Sequence, residues 1–265
     1  AIAGTVRVEA TDGSEVQVMA RKHVLLQATE NAPAALEALG VNVEKLENRI
    51  QVQTTVRGDM TALGCSYYRV DLLVRAPRTA LLTLRAQNGD SIVREFEGAV
   101  NIVQTQGRAV AEKCLGPVDI ANQSGDVQAL DCAGAVTATA TKGTITTRSV
   151  GGAQQITCTE GKTVADAPLG PVTIRQHGGD VRIIALGEGI QGNYDISSER
   201  GDISIVVAQG SDASFYVETV GGEVHCGAFP LQGSIEGSVR NFSGRLNQGQ
   251  HTVTLRTNEG NIIID

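Results

Sequence analysis

Between residues 98 and 179 apolar and polar positions alternate, and the alternation repeats every 18 residues. Two places after Gly98, Gly116, Gly134, Gly152 and Gly170 stand Val100, Val118, Val136, Gln154 and Val172, and four places after stand Ile102, Ile120, Ala138, Ile156 and Ile174. The positions between them, Asn101, Asp119, Thr137, Gln155 and Thr173, are polar. Alternation of period two predicts strands with one face buried. A second run of smaller residues follows Gly107, Gly125 and Gly143, with Ala109 and Ala111, Val127 and Ala129, and Ile145 and Thr147. Large residues on one wall facing small ones on another predict a thin core. Nothing in 89–265 sustains helical spacing.

The glycines that head these runs lie nine residues apart without a break from Gly89 to Gly179. A chain that winds into coils turns its corners at fixed intervals. Glycine suits corners that need positive φ or a close approach of backbones. Asp follows at Asp90, Asp126, Asp180 and Asp202, as turn chemistry allows. Beyond Gly179 the next equivalents fall at Gly201, Gly222, Gly244 and Gly260. The pattern predicts an all-β fold over residues 76–265, a single-stranded β-solenoid (β-helix). Its coils take about 18 residues and widen to about 22 toward the C-terminus.

Residues 1–75 lack this spacing and read as a β-rich cap over the first coil. A hairpin is expected from Gly4–Ala10 and Glu15–Ala20, a short helix over Pro33–Leu39, and strands over Arg49–Arg57 and Tyr67–Arg75. At the other end Ile262, Ile263 and Ile264 form an apolar strand with no cap after it. Either that strand tucks under the last coil, or its edge pairs with another molecule.

The net charge of −7 argues against nucleic acid and anionic membrane surfaces as partners, and no apolar run is long enough to span a bilayer. Cys114 and Cys132 share one column of the repeat with Phe96 and Val150. They are expected as stacked buried thiols, with a disulfide between adjacent coils as the strained alternative. The segment from Gly187 to Gly192 matches G-x-G-x-x-G, but alternating strands rather than a helix follow, so a wide turn is expected. Gly178-Gly179-Asp180 comes near a calcium β-roll motif without its further ligands. Arg200-Gly201-Asp202 is an R-G-D tripeptide in which Gly-Asp is already the turn chemistry of the repeat. Asn122 and Asn241 begin glycosylation sequons. No catalytic residue, cofactor or metal site emerges. The candidate interface is a set of outward apolar positions, Ile92, Val110, Leu130 and Val164, together with Ile262, Ile263 and Ile264, with cover of Ile92 and Val110 by the N-terminal domain or a local register shift as the other expectation.

Several segments are similar to the DUF4097 family. They are the run from Val70 to Pro77 with Leu82–Asp90, the motif Ser124-Gly125-Asp126-Val127, the motif from Arg200 to Ile205, and the closing Thr257–Ile262. The resemblance implies a β-solenoid, usually bacterial and exported to the periplasm or cell exterior, with an adhesin label that rests on fold. It carries no catalytic residues. The expected function is therefore a non-enzymatic envelope or surface protein that binds an unidentified protein or cell-surface component. A scaffold assembling end to end is the alternative, and a polysaccharide-active β-helix enzyme a second one.

Overall fold

The structure, a computed structural model, describes residues 3–265. It is a parallel β-solenoid whose circuit has three segments. Wall A carries β6 (Leu82–Asn88), β8 (Val100–Gln106), β10 (Val118–Ser124), the first half of β12 (Val136–Arg148), the first half of β13 (Gln154–Asp166), β14 (Val172–Gly178) and β16 (Tyr194–Arg200). Wall B carries β7 (Ser91–Arg94), β9 (Ala109–Glu112), β11 (Val127–Leu130), the second halves of β12 and β13, β15 (Val181–Ala185) and β17 (Ile203–Val207). The register advances by 18 from Val100 to Val118, Val136, Gln154 and Val172, then by 22 to Tyr194. Predicted and observed coil lengths agree as far as Tyr194.

A short third segment closes each circuit and is the part the alternation did not reveal. It opens at a left-handed residue that is not glycine: Glu95, Lys113, Asp131, Ser149 or Ala167, with φ of 64°, 55°, 55°, 51° and 46°. Phe96, Cys114, Cys132 and Val150 then point into the core. Their carbonyls accept from the next coil, as in Leu115 N to Phe96 O at 2.7 Å and Ala133 N to Cys114 O at 2.9 Å.

The two glycine series do different work. In one, Gly4, Gly89, Gly107, Gly125, Gly143, Gly161, Gly179 and Gly201 all have φ between 101° and 154°, and each backbone rests on the one below. In the other, Gly116, Gly134 and Gly152 have no positive φ and are needed only because the neighbouring coil lies against them.

Both chain ends are woven into the stack. The strand β1 (Val6–Thr11) does not form a hairpin with β2 (Gln17–Leu26). It lies parallel between β5 (Cys65–Pro77) and β7, while β2 pairs with β5. A polar loop, Thr11–Ser14, invited the hairpin reading. The apolar face of β1 nonetheless gains more by joining the core, where Val8 is buried.

The C-terminal coil, β22 (His251–Glu259) and β23 (Ile262–Ile264), inserts between β16–β17 and the coil formed by β18 (Ala213–Val220) and β19 (Val224–Cys226). Gly260 therefore sits between Gly201 and Gly222 in the corner ladder. Gly244 lies outside that ladder, in β21 (Val239–Leu246). That strand pairs antiparallel with β18 and with β20 (Gln232–Glu236). Phe229 closes the core at this end, its ring 4.6 Å from that of Phe215.

At the opposite end a seven-residue helix (Ala32–Ala38) and the hairpin of β3 (Leu39–Leu46) and β4 (Arg49–Val56) pack around Leu39, Met60, Val70 and Leu72.

Candidate binding site

Side chains of chemical interest are mostly consumed by the fold. The aspartates after the corner glycines bind the next coil: Asp90 Oδ1 accepts from Arg108 N at 3.2 Å, Asp180 Oδ1 from Asp202 N at 3.1 Å, and Asp202 Oδ1 from Asn261 N at 2.7 Å. The R-G-D aspartate and the aspartate of the β-roll-like motif are thus inter-coil ties. Behind the corners runs a buried polar column that the spacing of alternate positions contained but that sequence reading passed over. Gln104 donates to Gly89 O at 2.6 Å and Gln106 O at 2.7 Å and pairs with Ser91 Oγ. Asn122 donates to Gly107 O at 2.8 Å, and Gln176 to Gly161 O at 2.9 Å while accepting from Thr163. The signal was the co-occurrence of an amide at 104 or 176 with a hydroxyl at 91 or 163. The Asn122 side chain of the sequon is therefore buried inside the solenoid.

Replacing Gln104 by Leu leaves a glycine carbonyl and a serine hydroxyl unpaired. It should lower stability by about 2–3 kcal/mol in a urea melt. An effect under about 0.5 kcal/mol would contradict the column's role.

The five thiols are free, and all but Cys226 are buried. Contact between the two thiols pushes the pKa of Cys132 up and that of Cys114 down, burial raises that of Cys158, and Cys114 is itself shut off from solvent by full burial. A thiol held protonated is a poor nucleophile. At pH 8 a maleimide should label at most about one thiol per native chain and all five after denaturation. Rapid native labelling of more than one would show that the column is open.

The G-x-G-x-x-G segment is a loop in which Gly187 and Gly189 have φ of 76° and 75° and Ile190 enters the core. The strand β16, rather than a helix, follows.

The candidate interface is mostly corrected by the structure. Ile92 and Val110, which alternate outward, are nevertheless buried on wall B, where Ile92 lies in register between Arg7 and Val110. Leu130 and Val164 are half-exposed. Ile262 and Ile264 are fully buried, and the strand that carries Ile263 between them has both edges paired, to β17 and to β19. No free edge exists there for end-to-end pairing. The apolar run reads as an open end only if coils follow chain order, and they do not.

Two concavities stand out among the described residues. The smaller is a dish of about 430 Å³ on wall A, between Tyr216, Arg256 and the β20–β21 hairpin. The larger is a cleft of about 1350 Å³ at the N-terminal end. Wall B continues there past β7 through β1, β5 and β2, whereas among the described strands wall A reaches only β6. The β3–β4 hairpin, a separate two-stranded sheet, faces the resulting step. Val6, Val74, Val52, Leu82 and Ala86 give the cleft a half-buried apolar floor.

Backbone groups complete this site. In a parallel ladder one residue directs both its N–H and C=O to the same neighbour. Leu82 N donates to Ala99 O at the start of β8's coil, just before Val100, so Thr83 and Arg85 direct theirs to the outer edge. Among the described residues only Ala3, opposite Asn88, reaches that edge. The rim holds Lys45, Arg49 and Arg85 against a single carboxylate, Glu47. None of the three cations makes an ion pair among the described residues. In a chain of net charge −7 this is a local reversal of sign. Neither the glycine spacing nor the alternation pointed to it, because the cleft lies where the remote strands β1, β5 and β2 extend wall B beside the β3–β4 hairpin.

No helix among the described residues is long and apolar enough to cross a membrane. No curated protein matches the chain. A solved structure titled as a "putative cell adhesion protein" from Clostridium sporogenes aligns over 99% of this chain and 88% of its own. Its identity is 8% and its TM-score 0.21, too low for any argument. The model of the Toastrack DUF4097 family matches residues 41–265. With that match over most of its length, and the β-solenoid the resemblance implied, the chain belongs to the DUF4097 family.

Proposed function

We propose that this protein is a non-catalytic rod of the bacterial envelope or cell surface that binds a protein or cell-surface component. The observation that carries the reading is the fate of its polar groups. Inter-coil aspartates and buried amides are committed to holding the stack, while the large concavity at the N-terminal end combines an apolar floor with a charged rim. Such a surface recognises shape, charge and hydrogen-bonding edges.

The test is co-sedimentation of the purified chain with isolated bacterial envelopes, run beside a chromatographic assay for shortening of uronic-acid polymers. The expected result is saturable sedimentation and intact polymer. Polymer cleavage would establish the enzyme alternative instead. Absence of saturation would refute the envelope-binding role.

A further inference from the structure

We propose that the dish around Tyr216, on the outer face of wall A, binds a neutral oligosaccharide by stacking one pyranose ring on the tyrosine. The proposal rests on the binding reading above and names a class for the cell-surface component. Three observations converge on it.

The first is the ring. Tyr194, Phe215 and Phe242 of the same wall are buried or half-buried, and the Tyr194 hydroxyl donates to Pro168 O at 3.5 Å. Tyr216 alternates outward between Phe215 and Val217 and is 54% exposed. An aromatic face held in water favours contact with an apolar surface. A pyranose with equatorial hydroxyls offers one in the C–H groups of its ring faces.

The second is the surround. Thr254 on β22, Ser243 on β21 and Gln232 on β20 stand in register with Tyr216. In the next outward row Glu218 is flanked by Arg256 and by Asn241. Gln232, Asn241 and Ser243 are exposed. Amides and hydroxyls both donate and accept, as the hydroxyls of a sugar do. A Cβ on Gly233 would collide with Asn241 O and Phe242, so its absence lets β20 press against β21 and shape the dish. Its volume of about 430 Å³ suits a small ligand rather than a folded partner.

The third observation fixes the charge. Arg256 lies between Asp195, at 3.6 Å, and Glu218, at 4.0 Å, and Asp195 also accepts from Arg175. The two cations and two carboxylates cancel, so the dish has no net charge with which to attract an ion. An apolar peptide laid over it would strip water from these groups without replacing their hydrogen bonds. A neutral polyhydroxylated ring replaces them.

The experiment titrates the full chain with cellohexaose and with N-acetylchitohexaose, by calorimetry and saturation-transfer NMR. Sorbitol is the ring-free control and polygalacturonate the anionic one. At least one hexaose should bind saturably, with the strongest transfer to its ring C–H protons. Tyr216→Ala should weaken binding about tenfold or more with an unchanged Tm, whereas Tyr216→Phe should stay within about threefold. Asn241→Ala, on the hairpin, should also weaken binding and keeps the test valid if the alanine variant at Tyr216 does not fold. No binding of either hexaose, or binding insensitive to both alanine variants, would overturn the proposal. So would equal binding of sorbitol, or tighter binding of polygalacturonate than of both hexaoses. Failure in the envelope assay with success here would refute the location and leave the dish assignment standing. Envelope binding that Tyr216→Ala leaves intact, with no hexaose bound, would refute the dish alone.

Discussion

Gly125→Val should lower the free energy of unfolding by roughly 3–5 kcal/mol, while Thr137→Ser, on the outer face of wall A, should change it by less than about 0.5 kcal/mol. Two independent effects add at Gly125. Its φ of 124° lies where residues with a Cβ are strained. A Cβ at that position would also meet the carbonyl of Gly107 in the coil below, closer than any van der Waals contact. The carbonyl belongs to a corner with neighbours of its own, so relief requires two coils to separate and their ladder bonds to lengthen. Gly134→Val separates the two effects. It suffers the same encroachment on Gly116 without a positive φ, and should be milder by roughly 1–2 kcal/mol. Urea melts of the three variants provide the check. Equal losses at Gly125 and Thr137 would refute the corner assignment.

The second large effect is expected from removing residues 251–265. In a solenoid stacked in chain order, loss of the final coil frays one end. Here β22 and β23 lie between two other coils, and Val253, Leu255, Ile262 and Ile264 are fully buried. Burial of an aliphatic side chain contributes about 1.5–3 kcal/mol, so these four contribute on the order of 6–12 kcal/mol. The deletion also unpairs the facing edges of β16 and β18 and strands the β18–β21 unit, which has no other attachment to wall A. The truncated chain should aggregate or lose its cooperative transition by circular dichroism. A monomer melting within a few degrees of the full chain would mean that the coil does not lie inside the stack.

Much of this architecture was legible because one physical requirement recurs. Each coil must turn, and the glycines from Gly89 to Gly179 mark where; each wall must bury one face, and Val100, Ile102 and their equivalents mark which. The helix at Ala32–Ala38 was readable from Pro33 near its start, although Asn31 caps nothing with its side chain and donates to Leu63 O instead. What escaped shares a different cause. The left-handed residues Glu95, Lys113 and Asp131 carry no common side chain, because a third-segment corner tolerates any residue that accepts a modest strain. The weaving of β1 and β22–β23 escaped because strand pairing between remote segments leaves no local trace: Ile262–Ile264 looks the same at an open end as inside a stack. Ile92 and Val110 were read outward from alternation, and the structure buries them there. The cleft follows from the weaving, so it was hidden for the same reason.

The central claim, a stack in which remote segments complete the coils, is tested most directly by disulfide trapping on the outer face of wall B, in a Cys226→Ser background. Ser204, Ile263 and His225 occupy one ladder in that order, with Ile263 in the middle. Neighbouring strands lie about 4.8 Å apart, within the range a disulfide spans, and next-nearest ones lie about twice that, beyond it. The pairs Ser204→Cys/Ile263→Cys and Ile263→Cys/His225→Cys should each oxidise to completion in the folded chain, and Ser204→Cys/His225→Cys should not. Efficient trapping of the last pair, with none of the first two, would place the coils in chain order and contradict the account.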